Sequence, residues 1–260
     1  MACRPESCSV CASGGPLLPA SRRAMPNCWP YRSGSSDMAL AGSSGACYRS
    51  SSTIPTAVAL DRAYTRHMLV IFPTAPSTAR VRVAGGTVGS AQNPHDLFNW
   101  DHPAGALAGA HQHRTGGGAY NAAKYTALPT NTWVSLGVTC DGTTMRAYLD
   151  GTLNATAAAG GFAAGNAVEV QMLAGLIAGG GIDGSSQFAE GAVAEFAVWN
   201  AVLSADEMRA LGQRFRAPRV RPQSLQFYAP AIRTLVDARG GRTLSRVAGT
   251  DAVVPHPAVR

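Results

Sequence analysis

Residues 132–151, TWVSLGVTCDGTTMRAYLDG, contain two segments in which apolar residues alternate with polar or small ones. A period of two predicts β-strands that each have one apolar face. Asp-Gly at 141–142 lies between the segments and favours the positive φ angles of a tight hairpin turn. The stretch therefore predicts an antiparallel hairpin, with Trp133 as a candidate apolar anchor at its start. The apolar residues that alternation places on one face are Val134, Leu136, Val138, Met145, Ala147 and Leu149.

A helix start is predicted about fifty residues after this hairpin. Ser204 has the side chain of a good N-cap, and Glu207, three residues on, is its capping-box partner. Met208, Leu211 and Phe215 follow at helical spacing, which indicates one packed face. We therefore predict a short helix that covers an edge of the sheet.

The hairpin resembles the core hairpin of laminin-G-like domains, in which a strand beginning with Trp precedes Asp-Gly, a strand with Tyr and a second Asp-Gly. Segment 191–211, GAVAEFAVWNAVLSADEMRAL, resembles the closing strand and short helix of the same family. Segment 98–114, FNWDHPAGALAGAHQHR, is similar to upstream strands in phage and prophage members. The resemblance implies an all-β fold of the concanavalin A-like lectin and glucanase superfamily. That fold is a jelly-roll β-sandwich, here with one short C-terminal-side helix and extended terminal arms.

The charge of the chain is unevenly distributed, although its net value is +7. Residues 61–211 hold eight basic and eleven acidic residues, whereas residues 212–260 hold nine arginines and two acids. Together with the resemblance, this division predicts three parts. They are a disordered or loosely packed arm at 1–37, a laminin-G-like sandwich at 38–215, and a basic arm at 216–260 that docks on a partner.

The basic arm combines arginines with apolar clusters that are too short to fold alone. An acidic protein surface would supply both countercharge and buried area, whereas nucleic-acid binding by counterion release is the less favoured alternative. The predicted docking residues are Arg219, Arg221, Leu225, Phe227 and Tyr228.

Two other classes of protein receive little support. No apolar run of about 18 residues predicts a membrane span, and no Sec signal pattern is visible at the start of the sequence. Cysteines 3, 8, 11 and 28 have a spacing that superficially resembles a metal site. No regular structure is predicted around them, so we do not expect them to bind metal.

The sequence also predicts that the protein is not an enzyme. Glucanases of this superfamily need two carboxylates beside one sugar bond, and the resemblance implies an E-x-D-x-E motif, which is absent. Glu190 and Glu195 are five residues apart, which places them on opposite faces of a regular strand. The G-x-S-x-G motif of serine hydrolases is also absent.

Candidate carbohydrate ligands are the two places where an aromatic residue precedes a polar one outside the predicted core. These are Trp100 with Asp101, and Tyr120 with Asn121. Sugar sites commonly stack an aromatic ring on the pyranose face and satisfy its hydroxyl groups with neighbouring polar side chains.

Calcium is the one cofactor that the resemblance suggests, because laminin-G-like domains often hold this ion at one rim. Asp96 and Asp101 are the candidate ligands, in a segment that also contains His111 and His113. The alternative, which we favour, is that these are exposed polar residues of a strand and its loop. No other cofactor is predicted.

The arms, the missing catalytic motif and the resemblance to phage members lead to one functional prediction. We predict a non-enzymatic bacteriophage virion structural protein, either a capsid decoration or a tail or fibre component, located in the virion. Its partners would be other virion proteins and further copies of itself, with no membrane or nucleic-acid partner. The alternative is a carbohydrate-binding, lectin-like module that attaches to glycans of the host surface.

Overall fold

The computed structural model describes residues 38–50, 63–72, 80–88, 95–101, 109–114, 120–161, 168–172, 191–231, 236–241 and 243–260. In these parts the chain forms thirteen β-strands and one α-helix. The strands are β1 (Met38–Ser50), β2 (Tyr64–Ile71), β3 (Arg80–Val88), β4 (His95–Asp101), β5 (Ala110–Arg114), β6 (Tyr120–Lys124), β7 (Val134–Cys140), β8 (Thr144–Leu149), β9 (Thr152–Ala158), β10 (Val168–Met172), β11 (Gly191–Trp199), β12 (Leu225–Ala229) and β13 (Leu244–Pro255). The helix is α1 (Ala205–Gly212).

The strands pair in the order β6-β5-β4-β3-β10-β1-β11-β2-β7-β8-β9, with β12 added to β11 and β13 added to β1. Every pairing is antiparallel. The two ends of this order meet, because Asn121 Nδ2 on β6 donates a hydrogen bond to the Ala159 carbonyl beyond β9 at 3.0 Å. The sheet therefore closes on itself around one core, and the all-β prediction is confirmed.

The predicted hairpin is β7 and β8. Its turn is held by Asp141, whose Oδ1 accepts hydrogen bonds from the backbone N–H of Thr143 at 3.0 Å and Thr144 at 2.7 Å. Arg146 Nη1 donates to Asp141 Oδ2 at 2.9 Å, and this hydrogen bond holds the pKa of the Asp141 carboxyl below its usual value. Gly142 has a φ of 89°, as the Asp-Gly signal predicted.

The second Asp-Gly pair joins β8 to β9 and also supports the helix. Asp150 and Gly151 have φ angles of 48° and 78°, as the two central residues of a tight hairpin turn require. A Cβ atom on Gly151 would lie 2.7 Å from the Cα of Arg209 and 2.9 Å from the carbonyl oxygen of Met208. The absence of a side chain at Gly151 thus lets α1 pack directly on the turn.

The helix begins as predicted. The Ser204 backbone N–H donates to Glu207 Oε2 at 2.7 Å, and the Glu207 N–H donates to Ser204 Oγ at 3.3 Å. Met208 and Leu211 are buried in a cluster with Trp199, whose indole N–H donates to the Val220 carbonyl at 2.9 Å. The helix therefore closes a second apolar cluster, on the side of the sheet away from the main core.

The predicted boundary at residue 215 is wrong. Strand β12 pairs with β11 from Phe196↔Ala229 to Trp199↔Leu225, and β13 pairs with β1 along most of its length. Residues 225–229 and 244–255 are therefore strands of the same sheet, because β11 and β1 offer backbone edges that the local sequence pattern does not reveal.

The predicted docking anchors are consequently unavailable. Leu225, Phe227 and Tyr228 are buried in the clusters of their own sandwich. Arg221 donates to Glu207 through Nε at 2.8 Å and Nη2 at 2.6 Å, and to the Val202 carbonyl through Nη1 at 2.9 Å. Of the five predicted residues only Arg219 is an exposed side chain. Docking of the protein on a partner stays a prediction, but it cannot use these apolar side chains.

Several predictions fall outside the described residues. These are the arm at 1–37, including its four cysteines, the middle of segment 98–114, and Glu190. Within the part of the chain that the structure describes, no helix has the length and apolar character needed to cross a lipid bilayer.

Replacing Gly151 by Ala should lower the free energy of unfolding by about 2–5 kcal/mol, because the new Cβ meets both a positive φ and the backbone of α1. The matched control is Gly161→Ala. Gly161 also has a positive φ, 93°, but its Cβ would meet nothing within 4 Å. Gly161→Ala should therefore lower the free energy of unfolding by only about 1–2 kcal/mol. Urea unfolding measures both values, and equal losses would show that α1 does not rest on the Asp150–Gly151 turn.

Candidate functional site

The two predicted carbohydrate pairs lie on neighbouring strands but do not come together. In the register of β4, β5 and β6, Asn99 aligns with Ala110, and Ala110 aligns with Lys124. Trp100 lies one residue beyond this end, whereas Tyr120 aligns through Arg114 with His95 at the opposite end. Five residues of strand separate the two aromatic positions by about 16 Å. Each pair can serve only a separate sugar contact, and both stay predictions.

Asn121 has a structural role as well as its predicted one. Its side-chain amide donates to the Ala159 carbonyl, and a Cβ on the adjacent Gly160 would clash with that amide. The nearby pair Thr126 and Asn154 adds two hydrogen bonds, at 3.0 and 3.1 Å, between the segment after β6 and strand β9. Asn121 therefore joins the two ends of the sheet. A ligand could use only the hydrogen-bonding positions of its side chain that the bond to Ala159 leaves.

The structure separates the two predicted calcium ligands. Asp96 aligns with His113 and Gly86, whereas Asp101 aligns with Arg80 at the other end of β4. Calcium–oxygen distances are about 2.3–2.6 Å, so one ion cannot bind both carboxylates across about 16 Å. His111 is fully buried and lies 3.4 Å from the Tyr64 hydroxyl, which contradicts the expected exposed position. Among the side chains that the structure describes, no three His, Cys, Asp or Glu residues gather as a metal site.

A buried set of ionisable groups lies elsewhere, between β11 and the segments that cover it. Glu195 is buried, with Oε2 accepting a hydrogen bond from the Tyr228 hydroxyl at 2.7 Å. His256 Nε2 lies 3.6 Å from Glu195 Oε1, and the two side chains are only 2% and 3% exposed. The sequence does not predict this cluster, because it depends on a bulge: two residues of β11, Glu195 and Phe196, oppose one residue of β2.

A buried Ser–His pair lies near the backbone of Glu195. His67 Nε2 and Ser135 Oγ are 2.8 Å apart, and the Ser135 N–H donates to Asp150 Oδ1 at 2.8 Å. Such a pair is the beginning of a nucleophilic site, but both side chains are almost completely buried. The pair therefore ties β2 to β7 and has no access to a substrate.

Burial sets the charge state of both groups. Loss of water raises the pKa of Glu195 to about 7, although the Tyr228 hydrogen bond and the Arg216 charge pull it down. Loss of water lowers the pKa of His67 to about 4, although the nearby Glu195 backbone pulls it up. Near pH 6 both the Glu195 carboxyl group and the His67 imidazole of the folded protein are therefore uncharged.

An open cleft of about 370 Å³ lies between the end of α1 and the last residues of the sequence. Its lining is Gly212, Gln213, Arg214, Ala258, Val259 and Arg260. Arg214 Nη2 donates to the Trp133 carbonyl at 3.0 Å, so this guanidinium is already used in packing. No Asp or Glu side chain is among the residues that line the cleft.

The two buried groups should have opposite effects on the pH dependence of stability. The raised pKa of Glu195 stabilises the fold below its ordinary value of 4.5, and that stability is lost as the pH rises through about 7. The lowered pKa of His67 gives stability above its ordinary value of 6.5, which is lost as the pH falls through about 4. Between about pH 4.5 and 6.5 the two contributions cancel, because folding moves one proton from histidine to glutamate.

When either group is removed, the free energy of unfolding should show the pH dependence that the other group contributes. As the pH rises from about 4.5 to 6.5, the free energy of unfolding of His67→Gln should fall by about 1.4 kcal/mol per pH unit relative to wild type. The free energy of unfolding of Glu195→Gln should rise by the same amount per pH unit. Urea unfolding at pH 4.5, 5.5 and 6.5 measures the slopes. If both variants keep the wild-type slope, neither group has the assigned charge state.

Comparison with solved structures identifies proteins with the same fold. A native heptameric SAP-like pentraxin from Limulus polyphemus has a TM-score of 0.59 and 12% sequence identity, covering 84% of this chain and 94% of that one. A putative carbohydrate binding protein from Bacteroides ovatus also has a TM-score of 0.59, with 13% identity, covering 85% of this chain and 60% of that one. These likenesses confirm the jelly-roll sandwich.

A comparison of the sequence with curated proteins found no match. A comparison with family models found one, described as the concanavalin A-like lectin/glucanases superfamily, over residues 45–209. This range is more than half of the 260 residues and includes the hairpin, the closing strand and most of α1. By this match the chain belongs to the concanavalin A-like lectin/glucanases superfamily.

Proposed function

We propose that this domain is a carbohydrate-binding module of the lectin type and does not cleave its ligand. The observation that carries the proposal is the family match over residues 45–209, in a superfamily of lectins and glucanases. The Bacteroides ovatus structure, which has the same fold, is described as a putative carbohydrate binding protein. Binding of a glycan by this chain is thus the function that its family and its fold both favour.

The buried position of Glu195 supports binding over cleavage. Glycoside hydrolysis needs two carboxyl groups about 5–10 Å apart that face the same sugar bond. Glu195 has the raised pKa of a general acid, but Tyr228 and His256 cover it and a sugar cannot reach it. Two other described carboxyl groups are also occupied: Asp237 is buried and accepts three backbone hydrogen bonds, and Glu207 pairs with Arg221.

Trp100 is the residue on which we place the main sugar contact. It lies near the end of β4, where the backbone register aligns it with Val81 of β3 and aligns the following Asp101 with Arg80. Tryptophan residues commonly stack on the faces of sugar rings, and polar residues at the same end of the strands are candidates for hydrogen bonds to sugar hydroxyl groups. Tyr120 with Asn121 is the second candidate contact.

Trp100→Ala should weaken glycan binding by about 30-fold or more, the loss of about 2 kcal/mol expected for a central aromatic residue in an interface. The matched control is Leu153→Ala, which removes a side chain of β9 that is 52% exposed and should leave binding unchanged. A glycan array identifies the ligand, titration calorimetry gives the affinities, and an assay for new reducing ends tests cleavage. A silent array would contradict the proposal, and turnover that stops on mutating one carboxylate would contradict the non-enzymatic part of it.

A structural role in a bacteriophage particle is the second candidate. What favours it is the basic character of residues 212–260, where Arg219 is exposed and has no carboxylate partner within the part that the structure describes. The apolar anchors no longer favour it, because they are buried in the sandwich. Mass spectrometry of purified virions, read together with the glycan array, decides between the two roles.

A further inference from the structure

The C-terminal end of α1 has an arginine where glycine is usual. The helix ends in a Schellman motif, in which the Phe215 N–H donates to the Ala210 carbonyl at 3.1 Å. The Arg214 N–H donates to the Leu211 carbonyl at 2.9 Å and completes the motif. Arg214 has a φ of 66°, a left-handed conformation that glycine adopts at little cost and other residues adopt at the expense of stability. An arginine in this position therefore points to a role for its side chain.

Packing accounts for only part of that role. Glu195, another left-handed residue with a φ of 53°, uses its side chain in a buried hydrogen bond with Tyr228. Arg214 donates through Nη2 to the Trp133 carbonyl at 3.0 Å, but a guanidinium has five N–H groups. Within the part of the chain that the structure describes, this is its only side-chain hydrogen bond, and no carboxylate pairs with it. Most donors of Arg214 are therefore available to a ligand.

The backbone holds a second arginine beside Arg214. The Arg260 N–H donates to the Arg214 carbonyl at 2.8 Å, and the Arg216 N–H donates to the Arg260 carbonyl at 3.1 Å. The side chain of Arg260 is exposed, and among the described residues it has neither a hydrogen bond nor an ion pair. Two arginines whose backbones are in contact thus line the same cleft.

The cleft has the size of a small-ligand site. Its volume of about 370 Å³ is near the lower end of the range, about 300–1,000 Å³, that such sites occupy. Besides the two arginines, Gln213 brings a polar side chain to the lining, and Val259 brings an apolar one. Val259 packs against the buried pair Leu69 and Ala194, so this part of the lining is anchored to the sheet.

The end of α1 does not cancel the positive charge of the cleft. The negative end of a helix dipole resides largely in carbonyl groups that have no partner. In α1 the carbonyls of Arg209, Ala210 and Leu211 accept hydrogen bonds from the three residues that follow the helix. No Asp or Glu side chain lines the cleft. Its electrostatic character is therefore set by the two arginines, which stay charged at every physiological pH.

We propose that this cleft binds the acidic group of a glycan, a carboxylate or a sulfate ester, with Arg214 and Arg260 as its anion contacts. A guanidinium forms paired hydrogen bonds with two oxygens of such a group. Gln213 is placed to bond a neighbouring sugar hydroxyl. The inference names the ligand class of the proposed function and rests on it, but it uses residues other than Trp100.

NMR titration of the full chain with three methyl glycosides tests the ligand class. The probes are methyl β-glucuronide, methyl β-glucoside and methyl β-glucoside 6-sulfate, which differ only in the group at C6. At least one acidic probe should bind about tenfold more tightly than the glucoside, the factor that a charge-assisted hydrogen bond provides. The better of the two acidic probes distinguishes a carboxylate ligand from a sulfate ligand. Equal affinities for all three probes, or no binding of either acidic probe, would overturn the proposal.

Two variants assign the binding to the cleft. Arg260→Gln and Arg214→Gly should each weaken binding of the better acidic probe about tenfold or more and leave binding of the glucoside unchanged. Arg214→Gly should fold, because glycine is the usual residue at this left-handed position, and urea unfolding checks this. If Arg214 has only a structural role, the variant will lose stability and keep its affinity, which contradicts the proposal.

The matched control is Arg219→Gln, which removes the same charge from an exposed arginine outside the cleft. It should leave the affinity nearly unchanged, since salt screens distant charges. An equal loss in Arg219→Gln and Arg260→Gln would show that only the general positive charge attracts the probe.

Trp100→Ala separates this inference from the proposed function, because Trp100 is not part of the cleft. The variant should bind the acidic probe as the wild type does. A glycan array with only neutral ligands would overturn the acidic cleft and leave the proposed function standing. A silent array would contradict the proposed function itself.

Discussion

Strand β11 pairs with three other strands, and the bulge at Glu195 and Phe196 is the feature that makes this possible. On one side β2 follows it from Ile71 to Thr65. On the other side β1 occupies its first half and β12 its second half. The extra residue increases the local twist, so that the strand can leave one neighbour and meet the next. Both apolar clusters depend on this change, since Phe196 faces the main core and Trp199 faces the cluster under α1.

The sequence predicted correctly those features that depend on interactions between neighbouring residues. The turn at 141–142, the turn at 150–151 and the cap at Ser204 all appear at the predicted residues, because each depends on backbone conformations that its own side chains favour. The family resemblance covers the same region, and the matched range ends at residue 209.

Long-range pairing explains what the sequence did not predict. Leu225, Phe227 and Ala229 alternate, but their partner edge on β11 is open only because β1 leaves it at the bulge. Strand β13 pairs with β1, about two hundred residues earlier in the sequence. The arginines around these strands suggested a basic arm that docks on a partner, whereas Arg221 in fact binds Glu207, the capping-box residue of α1. The basic composition of these segments therefore indicates the character of their side chains and does not predict how their backbone pairs.

The candidate sugar contacts were predictable only as residue types, since register decides which of them are neighbours. Trp100 and Tyr120 belong to strands that are separated by one strand, yet they lie at opposite ends of it. The ionisable cluster around Glu195 had no sequence signal at all. Glu195 and His256 are far apart in the chain, and a regular β11 would have turned the carboxyl group to the other face.

The cost of placing Glu195 at the bulge is an appreciable fraction of the stability of a domain. A left-handed residue with a side chain costs about 1–2 kcal/mol relative to glycine, and a folded domain has only about 5–15 kcal/mol in total. Burial of an incompletely bonded carboxyl group adds to this cost. What offsets it comes from Tyr228 and His256, which belong to the last segments of the sequence. The buried position of the Glu195 carboxyl group therefore depends on β12 and on residues 256–260. Through these contacts the segments that follow the matched family region pack against the centre of the sheet.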